Sequence, residues 1–183
     1  MNAQPIHSHS SARPEEALLC TLDAGMRVKL TLVLIPDRVN GSLPAGASEI
    51  SLIESWAGSQ VFPVKRLSLT RADAQPEAFL NRLQCALDGI IQLEVPQGLS
   101  IEDRVTDLVN AILDVPSDFA LMIFGYGVVE AHSVHPLMCR ILDYQPPQMH
   151  LYMITPTVPP LANLPRLRVR RQVLQVTWPE GIT

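Results

Sequence analysis

Apolar positions along the chain fall into short runs cut by proline, glycine and serine, and the period of each run predicts its element. "EEALLCTLDA" (15–24) predicts a short helix ended by Gly25. "MRVKLTLVLIP" alternates and then becomes continuously apolar, the pattern of a strand entering a buried sheet, with Pro36 as its stop. "EISLIES" (49–55) and "VFPVKRLSL" (61–69) both have β-type content, and Pro63 demotes the second to an edge or bulged strand.

Further along, Pro76 opens "EAFLNRLQCALDGII", where Phe79, Leu83, Ala86 and Ile90 recur at helical spacing. In "PQGLSIEDRVTDLVNAILDVP" Ser100 is the N-cap candidate, and Val105, Leu108, Val109 and Ile112 form one apolar face. "DFALMIF" (118–124) predicts a central strand, "HPLMCRILDYQPP" a helix with Pro136 in its first turn, and "MHLYMITPT" another buried strand. "NLPRLRVRRQVLQV" (163–176) alternates enough to predict a final strand. From Ser100 onward the order is helix, strand, helix, strand, loop, strand. That alternation predicts an α/β fold: one domain with a mostly parallel central sheet flanked by helices, three-layered and P-loop/Rossmann-like. Residues 15–178 are expected to form this domain, between a disordered tail at 1–14 and a short C-terminal tail at 179–183.

Composition supports a real core: 47% of the 183 residues are hydrophobic and 17% are charged. Sixteen prolines against nine glycines favour many short elements with fixed entries and exits. A net charge of -4 argues against general nucleic-acid binding, which needs a basic surface to displace counterions. Cys20, Cys85 and Cys139 are widely spaced with no C-x-x-C, which predicts buried free thiols in a reducing compartment. The first residues lack a charged segment followed by an apolar run, and "LTLVLIP" is far shorter than the ~18 residues a membrane span needs. A cytoplasmic protein without a membrane association is expected.

Candidate chemistry is sparse. "RVNGSLPAGASE" has two glycines but no lysine for a phosphate loop, and "FGYGVVEAH" lacks the third glycine of a dinucleotide turn. No intact nucleotide-binding motif is present, and no cofactor is implied. Gly125, Tyr126 and Gly127 nevertheless fall where ligands bind in open α/β sheets, beyond the carboxyl end of a central strand. An ordinary strand-to-helix turn is the favoured reading of them. Glu130, His132, His135 and Cys139 follow and are all zinc-ligand types, although no second ligand pair stands elsewhere at matching spacing. Cys139 lies among Leu137, Met138 and Ile141 and reads as core rather than as a nucleophile.

Four of the fourteen basic residues crowd into six positions: Arg166, Arg168, Arg170 and Arg171. On a strand, the first three would share one face. They would either guard a sheet edge by charge or bind a phosphate or an acidic partner.

The second half of the chain, residues 100–174, resembles the AAA+ core of clamp-loader subunits. "LPRLRVRRQVL" is similar to their L-P-x-x-R-S-R-C segment, "MHLYMITPT" to the sensor strand, "CRILDYQPP" to the helix with a Pro-Pro stop, and "IEDRVTDLVNAIL" with "FALMIF" to the helix and strand of the acidic box. The resemblance implies that Arg170 takes the place of the arginine reaching a neighbouring subunit's nucleotide. Val169 stands for the serine and Arg171 for the cysteine, "IFGYGV" has no acidic pair, no phosphate loop precedes it, and the chain ends where a lid domain would begin. A caspase-like or other hydrolase core is a second comparison, with Tyr126 and Thr155 where reactive groups would stand. Both imply an α/β scaffold without an intact catalytic set. The expected function is a non-catalytic interaction or assembly subunit that binds a protein partner, within a larger complex. A nucleotide-dependent accessory subunit is the alternative.

Overall fold

Five strands, all paired in parallel, form one sheet in the order β2-β3-β4-β1-β5. The structure is a computed structural model that describes residues 14–35, 47–93, 98–129 and 133–178. In chain order the elements are α1 (Pro14–Gly25), β1 (Leu30–Leu34), α2 (Ala47–Ser59), β2 (Val64–Ser68), α3 (Pro76–Ala86), α4 (Ile101–Leu113), β3 (Phe119–Phe124), α5 (Val134–Tyr144), β4 (Met149–Thr155), α6 (Leu164–Val169) and β5 (Val173–Thr177). Residues of the expected tails lie outside the described residues, apart from Pro14.

Period-2 alternation divides the three central strands between two cores. Leu30, Leu32, Leu121, Ile123, Leu151 and Met153 face α3, α4, α5 and α6. Val33, Ala120, Met122, Phe124, Tyr152 and Ile154 face α1 and α2. The sheet is therefore covered on both sides, as a parallel sheet requires, and β3 and β4 are buried along their whole length. The predicted three-layer α/β fold is the observed one. The α4 cap also forms as expected, with Ser100 Oγ accepting the Asp103 backbone N–H.

Three expectations fail for physical reasons. "EISLIES" lies in α2, because Ile50, Ile53 and Trp56 recur at spacings of three and pack on the sheet, overriding β-type composition. The arginine stretch is not a strand. Pro165 sits in the first turn of a helix whose Leu164 and Leu167, one turn apart, are buried, while Val169 stays 85% exposed. The strand begins only at Val173. The thiols are free as expected, but Cys20 and Cys85 are exposed rather than buried, and only Cys139 is partly covered.

Helix α6 ends in a left-handed turn. The Gln172 N–H donates to Leu167 O at 2.9 Å and the Arg171 N–H to Arg168 O at 2.9 Å, the paired bonds of a Schellman motif. The residue that must adopt positive φ there is Arg171, at 55°, where glycine is usual. No helix among the described residues is long and apolar enough to cross a membrane.

Candidate functional site: the carboxyl end of the sheet

Chain direction decides where a crevice opens. β1 is followed by α2 on one face of the sheet, whereas β3 and β4 are followed by α5 and α6 on the other. Neighbouring strands whose connections diverge leave a gap at their carboxyl ends, the general ligand position of open α/β sheets. A cavity of about 210 Å³ lies at this end, lined by Tyr126, Gly127, His135, Thr155, Thr157 and Pro160 among others. A larger groove of about 530 Å³ adjoins it along α5, lined by residues including His135, Cys139, Arg140, Asp143 and Tyr144.

The turn predicted at Gly125–Gly127 is present. Phe124 ends β3 and Gly125 follows with φ 74°, a conformation that lets the chain turn at once into the short 3-10 helix Tyr126–Val128. A Cβ at Gly125 would lie 2.7 Å from Leu69 O, so the backbones of the two strand exits touch there. Tyr126 is buried, and its hydroxyl is 2.9 Å from His135 Nδ1, which ties the turn to the first turn of α5. Burial, with a smaller contribution from Cys139, raises the Tyr126 pKa well above the usual phenol range. Thr155, at the tip of β4, is 2% exposed, and its Oγ1 has no hydrogen-bond partner among the described residues.

Beside the tip of β3 stand an apolar ring and an ion-paired guanidinium. The Arg66 guanidinium lies 4.6 Å from the centroid of the Phe124 ring and is ion-paired with Glu54 on α2. From Phe124 to Val129, and from Thr155 to Pro160, the sequence holds no carboxylate. This stacked arginine was not legible in the sequence, because Arg66 and Phe124 meet only through the Ser68↔Phe124 register of β2 against β3.

The remaining predicted residues are scattered. Glu130 and His132 lie outside the described residues. His135 and Cys139 are both on α5, and no group of three or more metal-ligating side chains occurs among the described residues. The arginines do not share a strand face. Arg166 donates to Asp143 on α5, Arg168 donates to Gln175 Oε1 on β5 at 2.6 Å, and Arg170 and Arg171 stay exposed at the helix end. Edge guarding by a row of three guanidinium groups is thereby excluded.

This architecture has counterparts among known proteins. The chain has the α/β, P-loop-like fold of Cdc6p from Pyrobaculum aerophilum, with a TM-score of 0.58, 13% identity, and coverage of 94% of this chain and 47% of that one. The Orc1 protein of Aeropyrum pernix in complex with DNA superposes with a TM-score of 0.59 and 16% identity, over 92% of this chain and 45% of the other. In sequence, the chain is similar to the HTH-type transcriptional regulator MalT of Yersinia enterocolitica, 28% identical over 172 residues. That alignment covers 88% of this chain but 18% of MalT, so the chain spans less than a fifth of this relative's length. No family model matches the chain. These structures share the α/β, P-loop-like fold that the resemblance implied, and they do not single out its clamp-loader branch.

These findings correct the expectation that general nucleic-acid binding is unlikely. The Orc1 protein is seen in complex with DNA, and the relative is an HTH-type transcriptional regulator. The charge argument failed because a net charge of -4 is an average over the chain. Association with nucleic acid depends on where cations are placed. It also depends on the whole protein, of which this region corresponds to a small share in the relative.

Proposed function

We propose that the chain is a non-catalytic regulatory module with an AAA+-like fold, serving a larger nucleic-acid-associated protein of the transcriptional-regulator kind through protein contacts. The observation that carries this reading is the tip of β3, where the Phe124 ring lies beneath the stacked Arg66 guanidinium and Gly125 turns the chain. Phosphoryl transfer depends on metal ions held by carboxylates and on a cradle for the phosphates. An aromatic ring stacked on a guanidinium that is already paired with Glu54 supplies no ligand for a divalent metal. The contact surface in this reading is the end of α6, where Arg170 and Arg171 project and Arg171 keeps a strained backbone. Strain retained at an exposed residue is a pointer to function.

Two measurements test it. The purified chain is expected to release no phosphate from ATP and magnesium above the buffer rate. Cross-linking in cells, followed by mass spectrometry, is expected to join a protein partner to the Arg166–Gln172 segment, with the links lost in an Arg170→Glu/Arg171→Glu variant that still folds. Magnesium-dependent hydrolysis, or links that survive the double substitution, overturns the reading. A second reading, nucleotide binding without turnover, rests on the unpartnered Thr155 hydroxyl at the crevice. It predicts a thermal shift with ATP that Thr155→Val removes.

A further inference from the structure

At the opposite end of the sheet, where β1 begins, three exposed arginines are left over. Arg27, Arg170 and Arg171 make no hydrogen bond or ion pair among the described residues. Elsewhere in the fold Arg66, Arg104 and Arg140 each bond to a neighbouring element.

Backbone pairing brings the three together. The Lys29 and Leu30 N–H groups both donate to Gln172 O at 3.1 Å, which sets the entry of β1 beside the end of α6. Burial is the main influence lowering the Lys29 pKa; Asp143 opposes this, while Arg166 and Arg170 reinforce it, so those guanidinium groups lie within electrostatic reach of the β1 entry. Lys29 itself is committed, with Nζ donating to Leu142 O at 3.0 Å and Asp143 O at 3.2 Å. The acids of the adjoining helices are engaged as well. Asp143 accepts from Asn163 and Arg166, and Asp23 accepts from Trp56 Nε1 at 2.7 Å. The positive charge of Arg27, Arg170 and Arg171 is therefore not neutralised within the fold.

Apolar surface adjoins these cations. A cavity of about 380 Å³ opens beside Arg27 and Gln172, and Met26, Val28 and Pro147 are among the residues lining it. Met26 and Val28 are half-buried and Pro147 is exposed, so these side chains reach solvent. Cationic groups around a part-apolar recess match the make-up of protein interfaces, where arginine is enriched and apolar side chains fill the centre.

We propose that this corner of the domain, Arg27 with Arg170 and Arg171 beside the cavity, binds an acidic segment of a protein partner that also carries an apolar side chain. Its carboxylates meet the guanidinium groups, whose planar forks suit them. Its apolar side chain enters beside Met26 and Val28. The inference rests on the reading of the α6 end as a protein-contact surface, and adds to it the partner's chemistry and a second chain segment. Nucleic-acid phosphates would satisfy the arginines but leave the apolar recess unfilled, which favours a peptide chain.

Binding is read by fluorescence anisotropy on the full chain. The probe is a labelled peptide of glutamates around a central pair of leucines. One control peptide replaces the leucines by serine and another the glutamates by glutamine, while a DNA duplex of arbitrary sequence supplies phosphates. The parent peptide is expected to bind saturably, several-fold more tightly than either control or the duplex, and to weaken as salt is added. Arg27→Gln, at an exposed position far from α6 in sequence, is expected to weaken it several-fold with Tm unchanged. In the cellular cross-links, the partner segment joined to Arg166–Gln172 is expected to be rich in Asp and Glu. No binding of the parent peptide, equal binding of the serine control, or preference for the duplex overturns the inference. So does an Arg27→Gln variant that binds as wild type does, or a cross-linked segment without acidic residues. Each of those results leaves the protein-contact reading standing, whereas absence of the cross-links themselves removes that reading first.

Discussion

The Tyr126 hydroxyl and His135 Nδ1 stand 2.9 Å apart beneath the crevice, with their rings 5.6 Å apart and inclined at 43°. The contact joins the exit of β3 to the start of α5 across residues 130–132. The two sides of the crevice are therefore held by a phenol that is itself buried. On the other face of the sheet, Tyr152 donates to Leu22 O at 2.8 Å and packs against Trp56, so a second buried phenol anchors α1.

Both phenols make alkaline stability a sensitive reporter. Burial is the chief reason each has a raised pKa, seconded by Cys139 for Tyr126 and Asp23 for Tyr152. Below the unfolded tyrosine pKa of about 10 both states keep the proton, and the phenols add no pH dependence. Above it the unfolded chain loses protons that the native state retains, so stability falls as pH rises. The expected slope reaches about 1.4 kcal/mol per pH unit for each phenol. Urea unfolding followed from pH 9 upward should show this loss. Tyr126→Phe should flatten that alkaline limb while costing about 1 kcal/mol at neutral pH through the lost hydrogen bond. An unchanged limb contradicts the burial.

Glycine substitutions separate a required position from an ordinary one. At Gly125, an alanine meets both the positive φ of 74° and a 2.7 Å approach to Leu69 O. The expected cost is about 2–4 kcal/mol, from left-handed backbone strain and overpacking together. At Gly58, inside α2, a Cβ would meet nothing within 4 Å. Gly58→Ala should instead stabilise by about 0.5–1 kcal/mol, from helix propensity. Chemical denaturation of the two variants checks the contrast, and equal effects would contradict the packing at the β3 turn.

The sequence pattern carried the fold where burial was two-sided or strongly periodic. β3 and β4 read as strands because continuous apolar runs fit a sheet covered on both faces, and α4 read as a helix because its cap and apolar stripe agree. It failed where two periods compete over few residues. Leu167, Val169 and Val173 alternate as on a strand, while Leu164 and Leu167 stand one helical turn apart, and only burial of the latter pair in the core decides. The site was half legible: Gly125–Gly127 follow from topology, while the Arg66–Phe124 stack requires strand register. His150 did leave a trace, as one imidazole in an otherwise apolar run, but a lone polar residue says nothing of its neighbours until the fold brings Asp118 within 3.5 Å of it.

Thiol exposure gives a check on α1 and α3. Cys20 and Cys85 lie on solvent-facing sides of those helices, whereas Cys139 is partly packed against the core beneath the α5 groove. Under native conditions a maleimide reagent should label Cys20 and Cys85 promptly and Cys139 markedly more slowly. Peptide mapping of the labelled protein reads this directly. Equal labelling of all three would show that α5 does not sit as described.

The strained end of α6 yields the clearest trade between stability and surface chemistry. Arg171 holds φ 55° to complete the hydrogen bonds that close the helix, and its side chain is exposed. Glycine relieves a left-handed strain of about 1–2 kcal/mol but gains entropy in the unfolded chain, so Arg171→Gly should stabilise by about 0.5–1 kcal/mol. Arg171→Ala keeps the strain and should bring no such gain. If Arg171 serves only the fold, both variants retain every partner contact and the glycine variant is simply better. If it belongs to the contact surface, the glycine variant melts higher yet forms fewer cross-links, and the alanine variant loses the same cross-links without the gain in Tm. Parallel thermal denaturation and cross-linking of the two variants separate backbone strain from side-chain function at a single position.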